Sequence, residues 1–349
     1  MKAIGVTRQS YLYEGVFFLK FKKLWLALGV GTAVGAASVF ASRATTNYLM
    51  KMALDREAPK RMTKKRIRGT DYGEEAENML AQAAQALEEK KPEQVEIHSA
   101  DGTRLVGHWY PAENAQRVII AMHGWRSCWS RDFGTIADFW HDNGCHILFA
   151  EQRGQNNSEG AYMGFGILER HDCREWAWWA NMRCDGRLPI YLAGISMGAT
   201  TVLMASSLNL PSTVKGIIAD CGFTSPHAIW KHVVENNFHV PFGLYARAAN
   251  DLCQKRLHAG SREHSTTEAL AKTEIPVLLI HGADDCFVPV TMTYENYKSC
   301  ASPKRLLIVP GANHGMSYHV NRSEYEKMNL EFWQEYDDIS TQSKNRGAT

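Results

Sequence analysis

From residue 93 onwards, apolar segments of strand length alternate with segments of helical periodicity. The first two, QVEIHS and RLVGHWYP, alternate around Asp101-Gly102 as in an antiparallel hairpin. Later ones, such as RVIIAMHG and PVLLIHG, are apolar almost throughout. Strands of that kind are buried on both faces, as in a parallel sheet covered by helices. We therefore predict an α/β domain over residues 93–340, with its ligand site where the strands end.

The composition supports a large domain and argues against some classes of protein. The chain has 349 residues, of which 45% are hydrophobic, enough to bury a sizeable core. A net charge of +2 gives no reason to expect nucleic-acid binding. The 8 cysteines are irregularly spaced and form no Cys-x-x-Cys pair, so we expect small core residues and no structural zinc site. Their spacing leaves open whether any of them form disulfides.

The stretch LAGISMGAT places Ser196 between Gly194 and Gly198, where an apolar strand meets a helix-compatible segment. Glycines weaken regular elements, so their presence at this junction indicates a sharp strand-to-helix turn with a strained serine. Gly-x-Ser-x-Gly is the nucleophile elbow, which exposes a serine hydroxyl above the end of a parallel sheet. The sequence thus predicts Ser196 as a nucleophile; a loop with a helix-capping serine is the alternative.

A serine nucleophile needs a base, and the base needs an acid that holds its tautomer. In VPGANHGMS, His314 follows the last predicted strand and is the candidate base, with His319 as the nearest alternative. Three aspartates follow strand ends: Asp220, Asp284 and Asp285. The order Ser196, Asp285, His314 is the one expected on this architecture, and we predict that these three residues are catalytic.

The tetrahedral intermediate of acyl transfer needs two preformed N–H donors. We expect one from the backbone of Met197, at the start of the helix after the serine, where the helix dipole also favours negative charge. The other should come from Trp125, in the loop after IIAMHG. His123 is expected to order this loop and to take no part in the reaction.

HGW, GISMG, HGADDCFVP and GANHG, in that order at strand ends, resemble the motifs of the α/β-hydrolase superfamily. The resemblance covers about residues 95–336 and is closest to bacterial membrane-anchored hydrolases grouped with serine-aminopeptidase-like and acyltransferase-like members. The family pattern H-G-x-x-D-x-x-V-P aligns Asp285, and not Asp284, with the acid. EQRGQNNSEG is similar to that group's D-x-R-G-H-G-x-S stretch but departs from it at Glu151 and Gln155. We interpret that loop as structural support.

About fifty residues separate the strand that ends near Asp220 from the next one, too many for a plain connection. They predict a cap of two or three helices over about residues 223–274, which would roof the site as the superfamily often does. Aromatic side chains could line an apolar acyl pocket or be ordinary core residues: Trp125, Trp129, Phe223 and Trp230. A cap of this size suggests a small or medium substrate.

The segment Leu24–Ser42 carries no charge and has the length of a membrane-spanning helix. It follows a tail over residues 1–23, which favours an uncleaved anchor over a cleaved signal peptide. Positive charge flanks both ends almost equally, so the positive-inside rule does not decide the orientation. We expect the short N-terminus to lie inside. We therefore expect a single-pass protein of the cell membrane with an extracytoplasmic catalytic domain and the lipid membrane as a partner.

Residues 43–92 are expected to form a basic linker and a helix that packs on the catalytic domain. The cluster Lys60–Arg68 could contact anionic headgroups or be solvated. In the following segment, apolar residues recur on one helical face: Ala76, Met79, Leu80, Ala83 and Leu87. Residues 341–349 are expected to be a tail.

The motifs together predict a carboxylesterase-like serine hydrolase that cleaves an ester or similar acyl bond through an acyl-enzyme, without metal or organic cofactor. The same residues would serve a peptidase or an acyltransferase, so the partner is a small acyl or peptide-like substrate. Peptidases of this kind hold the substrate amine with carboxylates near the cap, for which Glu235 and Glu263 are candidates. An inactive hydrolase fold used for binding is the third alternative.

Overall fold

The computed structural model describes residues 42–57, 72–237 and 239–337. The predicted anchor Leu24–Ser42, apart from its last residue, lies outside these ranges, as do the basic cluster Lys60–Arg68 and the predicted tails 1–23 and 341–349. Within the described ranges, we find no helix with the length and apolarity needed to cross a membrane.

One sheet of eight strands organises the domain. The strands are β1 Glu93–His98, β2 Arg104–Tyr110, β3 Arg117–Met122, β4 Cys145–Ala150, β5 Ile190–Ile195, β6 Val214–Asp220, β7 Val277–Gly282 and β8 Lys304–Val309. Their order is β1-β2-β4-β3-β5-β6-β7-β8. Strand β2 is antiparallel to both neighbours, and all other adjacent strands are parallel. The predicted α/β fold with a mostly parallel sheet is confirmed.

Helices follow most strands. The described part of helix α1 covers residues 42–54. The others are α2 Glu74–Glu89, α3 Trp129–Phe133, α4 Ala137–Asp142, α5 Glu169–Arg183, α6 Met197–Ala205, α7 Pro226–Asn237, α8 Gly243–Leu257, α9 Thr266–Leu270, α10 Val290–Ser299, α11 Ser317–Val320 and α12 Arg322–Tyr336. Helices α7, α8 and α9 occupy the segment in which the sequence predicts a cap.

The core lies on both faces of the sheet, because its central strands are apolar along most of their length. Strands β3, β6 and β7 are fully buried. On one face, Ile120 belongs to a cluster with Trp176 of α5. On the other face, Ile119 belongs to a cluster with Trp140 of α4 and Trp333 of α12. This two-sided burial leaves the carboxyl ends of the parallel strands as the accessible edge of the sheet.

The sequence RDFGTIADFWHDNG predicts a single helix that ends at Asn143-Gly144, and this prediction is wrong in detail. The segment RDFGTIADFWHDNG forms two short helices, α3 and α4, separated at residues 134–136. Helix α2 packs against α3 at this point, and a Cβ at Gly134 would lie 2.6 Å from the carbonyl carbon of Ala83. The break therefore lies where the backbone of α2 comes closest.

Helix α1 packs on the domain, although the sequence places it in a linker. The backbone N–H of Met163 donates to the carbonyl oxygen of Leu54 at 2.7 Å, and Leu54 is fully buried. Asp55, directly after α1, forms an ion pair with Arg256 of α8, in which Oδ1 and Nε lie 3.2 Å apart. These contacts hold residues 42–57 against the catalytic domain.

Candidate active site

Ser196 lies in a sharp turn between β5 and α6. Its backbone has φ 56° and ψ −116°, a conformation that non-glycine residues rarely adopt. A Cβ at Gly194 would lie 2.3 Å from the carbonyl carbon of Gly198, and a Cβ at Gly198 only 1.8 Å from the carbonyl oxygen of Met122. The two glycines therefore allow strand and helix to pass within backbone contact, and the turn projects the serine beyond the sheet.

Ser196, His314 and Asp285 form one hydrogen-bonded chain, and all three are buried. Nδ1 of His314 lies 2.7 Å from Oδ2 of Asp285, and Nε2 lies 2.9 Å from Oγ of Ser196. An ionised carboxylate only accepts hydrogen bonds, so Nδ1 carries the proton and Nε2 accepts from the serine hydroxyl. This is the tautomer that a general base next to a serine requires.

The backbone holds Asp285 rigidly. Its Oδ1 accepts from the backbone N–H groups of Phe287 and Val288, both at 2.8 Å, which leaves Oδ2 for the histidine. Burial raises the pKa of Asp285, but the charge of His314 and the hydrogen bonds from His281 and His314 outweigh burial and hold that pKa well below its usual range. Asp285 is therefore ionised at neutral pH.

The other candidates have different surroundings. Asp284 is exposed. Asp220 is buried and accepts a hydrogen bond of 3.0 Å from Oγ of Ser317, and burial raises its pKa to about 6. His319 lies exposed in α11. Burial lowers the pKa of His314, but the charge of Asp285, the hydrogen bond that His314 donates to Asp285 and the charge of Asp220 raise it above the ordinary value.

The loop after β3 passes beside the serine: a Cβ at Gly124 would lie 3.5 Å from Cβ of Ser196. The backbone N–H of Gly124 donates to Oδ2 of Asp132 at 2.6 Å, which fixes the loop. Among the residues that the structure describes, the backbone N–H groups of Trp125 and Met197 have no acceptor. Two unsatisfied donors next to a buried serine are what an oxyanion site requires.

His123 orders this loop, as predicted from its place before Gly124. Its Nδ1 lies 2.8 Å from the carbonyl oxygen of Gly124, and its Nε2 accepts from the backbone N–H of Gln152 at 3.1 Å. Burial lowers the pKa of His123, so the ring is neutral. Both ring nitrogens therefore have backbone partners.

The two departures from the family pattern, Glu151 and Gln155, have structural roles: Gln155 bonds the loop after β3, and Glu151 bonds β2 and its own loop. Oε1 of Gln155 accepts from the backbone N–H of Arg126 at 2.6 Å. Glu151 lies 2.8 Å from Nε2 of His108 and 2.5 Å from the backbone N of Asn157. Neither side chain belongs to the hydrogen-bonded chain of the serine.

The sequence prediction was incomplete for the surroundings of the site. Phe223, Trp125 and Trp230 line an apolar cavity beside Ser196. Trp129 does not line it, because its ring stacks on His108 at 4.3 Å between centroids, within the core. The support from Asp132 and the contribution of α1 to the cavity were missed, because no local sequence pattern identifies the partner that each of them contacts.

A possible ligand cluster overlaps the same residues. The thiol of Cys221 and one ligand atom each of Asp285 and His314 lie within 4.8 Å of one another. Both nitrogens of His314 are already engaged, one by Ser196 and one by Asp285. Burial raises the pKa of the Cys221 thiol far above its ordinary value, so it stays protonated. The donor set fits a hydrogen-bonded site better than a metal site.

The profile of the prolyl oligopeptidase family matches residues 132–339. The chain is also similar to the uncharacterized protein YqkD of Bacillus subtilis (strain 168), with 28% identity over 315 residues, which are 89% of this chain and 97% of YqkD. Among solved structures it resembles an esterase of Pyrococcus furiosus, with 21% identity, a TM-score of 0.59 and coverage of 72% of this chain and 94% of the esterase.

A Pyrococcus horikoshii acylaminoacyl peptidase is also similar, with 18% identity and a TM-score of 0.52, over 70% of this chain and 42% of the peptidase. At such identities the two structures indicate the fold alone. The family profile, however, covers more than half of the chain and includes the segments with Ser196, Asp285 and His314. The chain therefore belongs to the prolyl oligopeptidase family and is an α/β hydrolase.

Proposed function

We propose that this hydrolase cleaves an ester or similar acyl bond with Ser196 as nucleophile, His314 as general base and Asp285 as the residue that orients the base. The hydrogen-bonded chain from Asp285 through His314 to Ser196, at 2.7 and 2.9 Å, carries the proposal. The strained turn at Ser196 and the fixed carboxylate support it, because both keep these atoms in place before substrate binds.

In the proposed reaction, Oγ of Ser196 attacks the acyl carbon while its proton passes to Nε2 of His314. The negative charge that develops on the acyl oxygen is stabilised by the backbone N–H groups of Trp125 and Met197. The imidazolium then protonates the leaving group, and the C–O bond to it breaks, which leaves the acyl-enzyme. In deacylation a water molecule attacks the acyl carbon while its proton passes to Nε2 of His314. The bond between the acyl carbon and Oγ of Ser196 then breaks, His314 returns the proton to Oγ, and the carboxylic acid is released.

A peptidase is the second candidate, favoured by the family match and by the likeness to an acylaminoacyl peptidase. The predicted amine-binding carboxylates do not favour it. Glu235 accepts from the backbone N–H of Phe242 at 3.3 Å, and Glu263 accepts from that of Gly260 at 2.8 Å. Neither carboxylate lines the two cavities that open on Ser196. Ester cleavage is therefore the primary proposal.

Labelling with a fluorophosphonate tests the nucleophile directly, because only an activated serine reacts. We expect labelling of the full-length chain and none of Ser196→Ala, with a loss of about 10⁶ in kcat on p-nitrophenyl esters. Ser323→Ala, an exposed serine of α12, is the matched control and should keep both properties. A Ser196→Ala variant that turns over esters within tenfold of the unsubstituted chain would refute the proposal.

Two substrate series separate the alternatives. We expect higher kcat/KM on p-nitrophenyl esters than on aminoacyl p-nitroanilides, and the opposite order would indicate a peptidase. Added alcohols or amines measure acyl transfer, which would appear as ester or amide product in place of free acid. A protein that neither labels nor hydrolyses either series would be a binding protein.

We also propose that Leu24–Ser42 anchors the chain in the cell membrane and leaves the catalytic domain extracytoplasmic. The absence of charge over this segment supports the proposal. Full-length protein should resist extraction by carbonate, and an added protease should reach the domain only from the outer side. A mature chain that begins at Ser42, detected by mass spectrometry, would indicate a cleaved signal peptide.

A further inference from the structure

Two cavities open on Ser196, and they differ in chemistry. Trp125, Ser196 and Phe287 line both of them. The first cavity, here called the polar cavity, combines apolar side chains with polar and charged ones, among which are Tyr72, Arg126, Arg131, Asp132, His314 and His319. In the second, here called the apolar cavity, none of the lining residues that the structure describes has a charged side chain. A substrate that reaches Ser196 can therefore place a polar part on one side and an apolar part on the other.

Helix α1 forms one wall of the apolar cavity, opposite α7 and α8. The lining residues of α1 are Thr46, Leu49, Met50, Met52 and Ala53. Those of α7 include Ile229 and Val233, and those of α8 include Tyr245 and Ala249. A segment that precedes the catalytic domain by sequence thus closes the space next to the proposed nucleophile.

This wall is fixed to the loop that carries the proposed oxyanion donor. The indole Nε1–H of Trp125 donates to the carbonyl oxygen of Ala53 at 2.9 Å. The guanidinium of Arg126 donates to the carbonyl oxygens of Met52 at 2.9 Å and Asp55 at 2.7 Å. The last carbonyl groups of a helix lack hydrogen-bond donors within the helix. For Met52 and Ala53 the loop supplies these donors from Arg126 and Trp125. Helix α1 and the loop therefore keep one relative position.

The position of His314 decides which part of the substrate enters which cavity. The general base must later protonate the leaving group, so the leaving group lies on the side of His314. His314 lines the polar cavity and does not line the apolar one. The acyl chain must therefore enter the apolar cavity. A charged group or a peptide group there would lose its hydrogen bonds to water and find no replacement, so the acyl chain is hydrophobic.

We propose that the apolar cavity is the acyl subsite and that α1 is its specificity-determining wall, so the substrate is an ester of a hydrophobic acyl chain of several carbons with a polar leaving group. This inference rests on the proposed function of Ser196. Each methylene buried in such a subsite raises kcat/KM by up to about fourfold. The octanoyl ester should therefore be preferred over the acetyl ester of the same leaving group.

The test compares p-nitrophenyl acetate, butyrate, hexanoate and octanoate on full-length variants. Ala53→Leu extends a side chain into the apolar cavity from α1 and should lower the octanoate-to-acetate ratio of kcat/KM at least tenfold. The matched control is Ala44→Leu, the same change on an exposed position of α1. Nine residues are two and a half helical turns, so the two alanines lie on opposite faces of the helix. The control should keep the ratio unchanged.

Val233→Phe fills the same cavity from α7 and should lower the same ratio, which separates the effect of the cavity from damage to α1. If both variants slow all four esters equally, the inference is wrong. If they instead discriminate among alkyl acetates of different alcohol length, the apolar cavity binds the leaving group, and the inference is also wrong. An unsubstituted chain that hydrolyses no ester and resists fluorophosphonate would instead refute the proposed function.

Discussion

Replacement of Asp285 by asparagine should reverse the tautomer of His314. Oδ1 of Asp285 accepts from the backbone N–H groups of Phe287 and Val288, so the asparagine oxygen must take that position. The amide nitrogen then replaces Oδ2, which lies 2.7 Å from Nδ1 of His314. An N–H donor at that distance requires an unprotonated Nδ1 and therefore a protonated Nε2. The imidazole could no longer accept the proton of Ser196.

We expect Asp285→Asn to lower kcat by about 10⁴, the cost of a wrong tautomer in such a site. This corresponds to about 5.4 kcal/mol of activation free energy. Stopped assays with a p-nitrophenyl ester cover this range, and circular dichroism checks that the fold is retained. The neighbouring exposed carboxylate supplies the control, because Asp284→Asn should stay within tenfold of the unsubstituted chain.

The reasoning would be refuted if Asp285→Asn kept kcat within tenfold while circular dichroism stayed unchanged. A large loss in Asp220→Asn with a small loss in Asp285→Asn would assign the acid to the end of β6 instead. The structure argues against that outcome, because Asp220 bonds Ser317 and not His314.

Three further substitutions test separate parts of the site. Gly198→Ala should leave no folded protein, because its Cβ would lie 1.8 Å from the carbonyl oxygen of Met122 at the end of β3. Gly243→Ala is the control, because a Cβ there meets nothing within 4 Å. Thermal unfolding of Gly198→Ala at the temperature of the control would contradict this prediction. Asp220→Asn should move the acidic limb of kcat/KM to lower pH. The base works only when neutral, and the charge of Asp220 raises the pKa of His314, so an unmoved limb would exclude this coupling. Arg126→Ala removes the hydrogen bonds of the guanidinium to the carbonyl oxygens of Met52 and Asp55. It should lower the free energy of unfolding by about 2 kcal/mol and Tm by roughly 4–8 °C, measured by scanning calorimetry. An unchanged Tm would show that α1 is held without these hydrogen bonds.

The parts of the fold that the sequence predicted correctly depend on local patterns. Strands that are almost entirely apolar, such as β3 and β7, indicate burial on both faces whatever the rest of the chain does. The glycines around Ser196 likewise indicate a sharp turn. A Cβ at Gly194 would clash with the backbone of Gly198, which belongs to the same turn. The contact of Gly198 with the carbonyl oxygen of Met122 could not be predicted in this way, since it depends on which strand lies next to β5.

The surroundings of the site depend on contacts between residues far apart in sequence. Asp132 bonds Gly124 across a loop whose shape no motif specifies. The break between α3 and α4 depends on α2, which packs there from a separate segment. In each case the residue types allow the contact, but the same residues could pack or form hydrogen bonds equally well with other parts of the chain.

Helix α1 is the clearest example of this limit. Its cavity-lining residues Thr46, Leu49, Met50 and Ala53 have the spacing i, i+3, i+4, i+7, which is typical of an amphipathic helix. Such spacing shows that one face is covered, but it does not identify what covers it. The partner is 72 positions away, where Trp125 donates to Ala53. A chain that begins at Tyr72 would therefore keep Ser196 and its partners. It would lose one wall of the proposed acyl subsite and the helix that holds the loop with the proposed oxyanion donor Trp125.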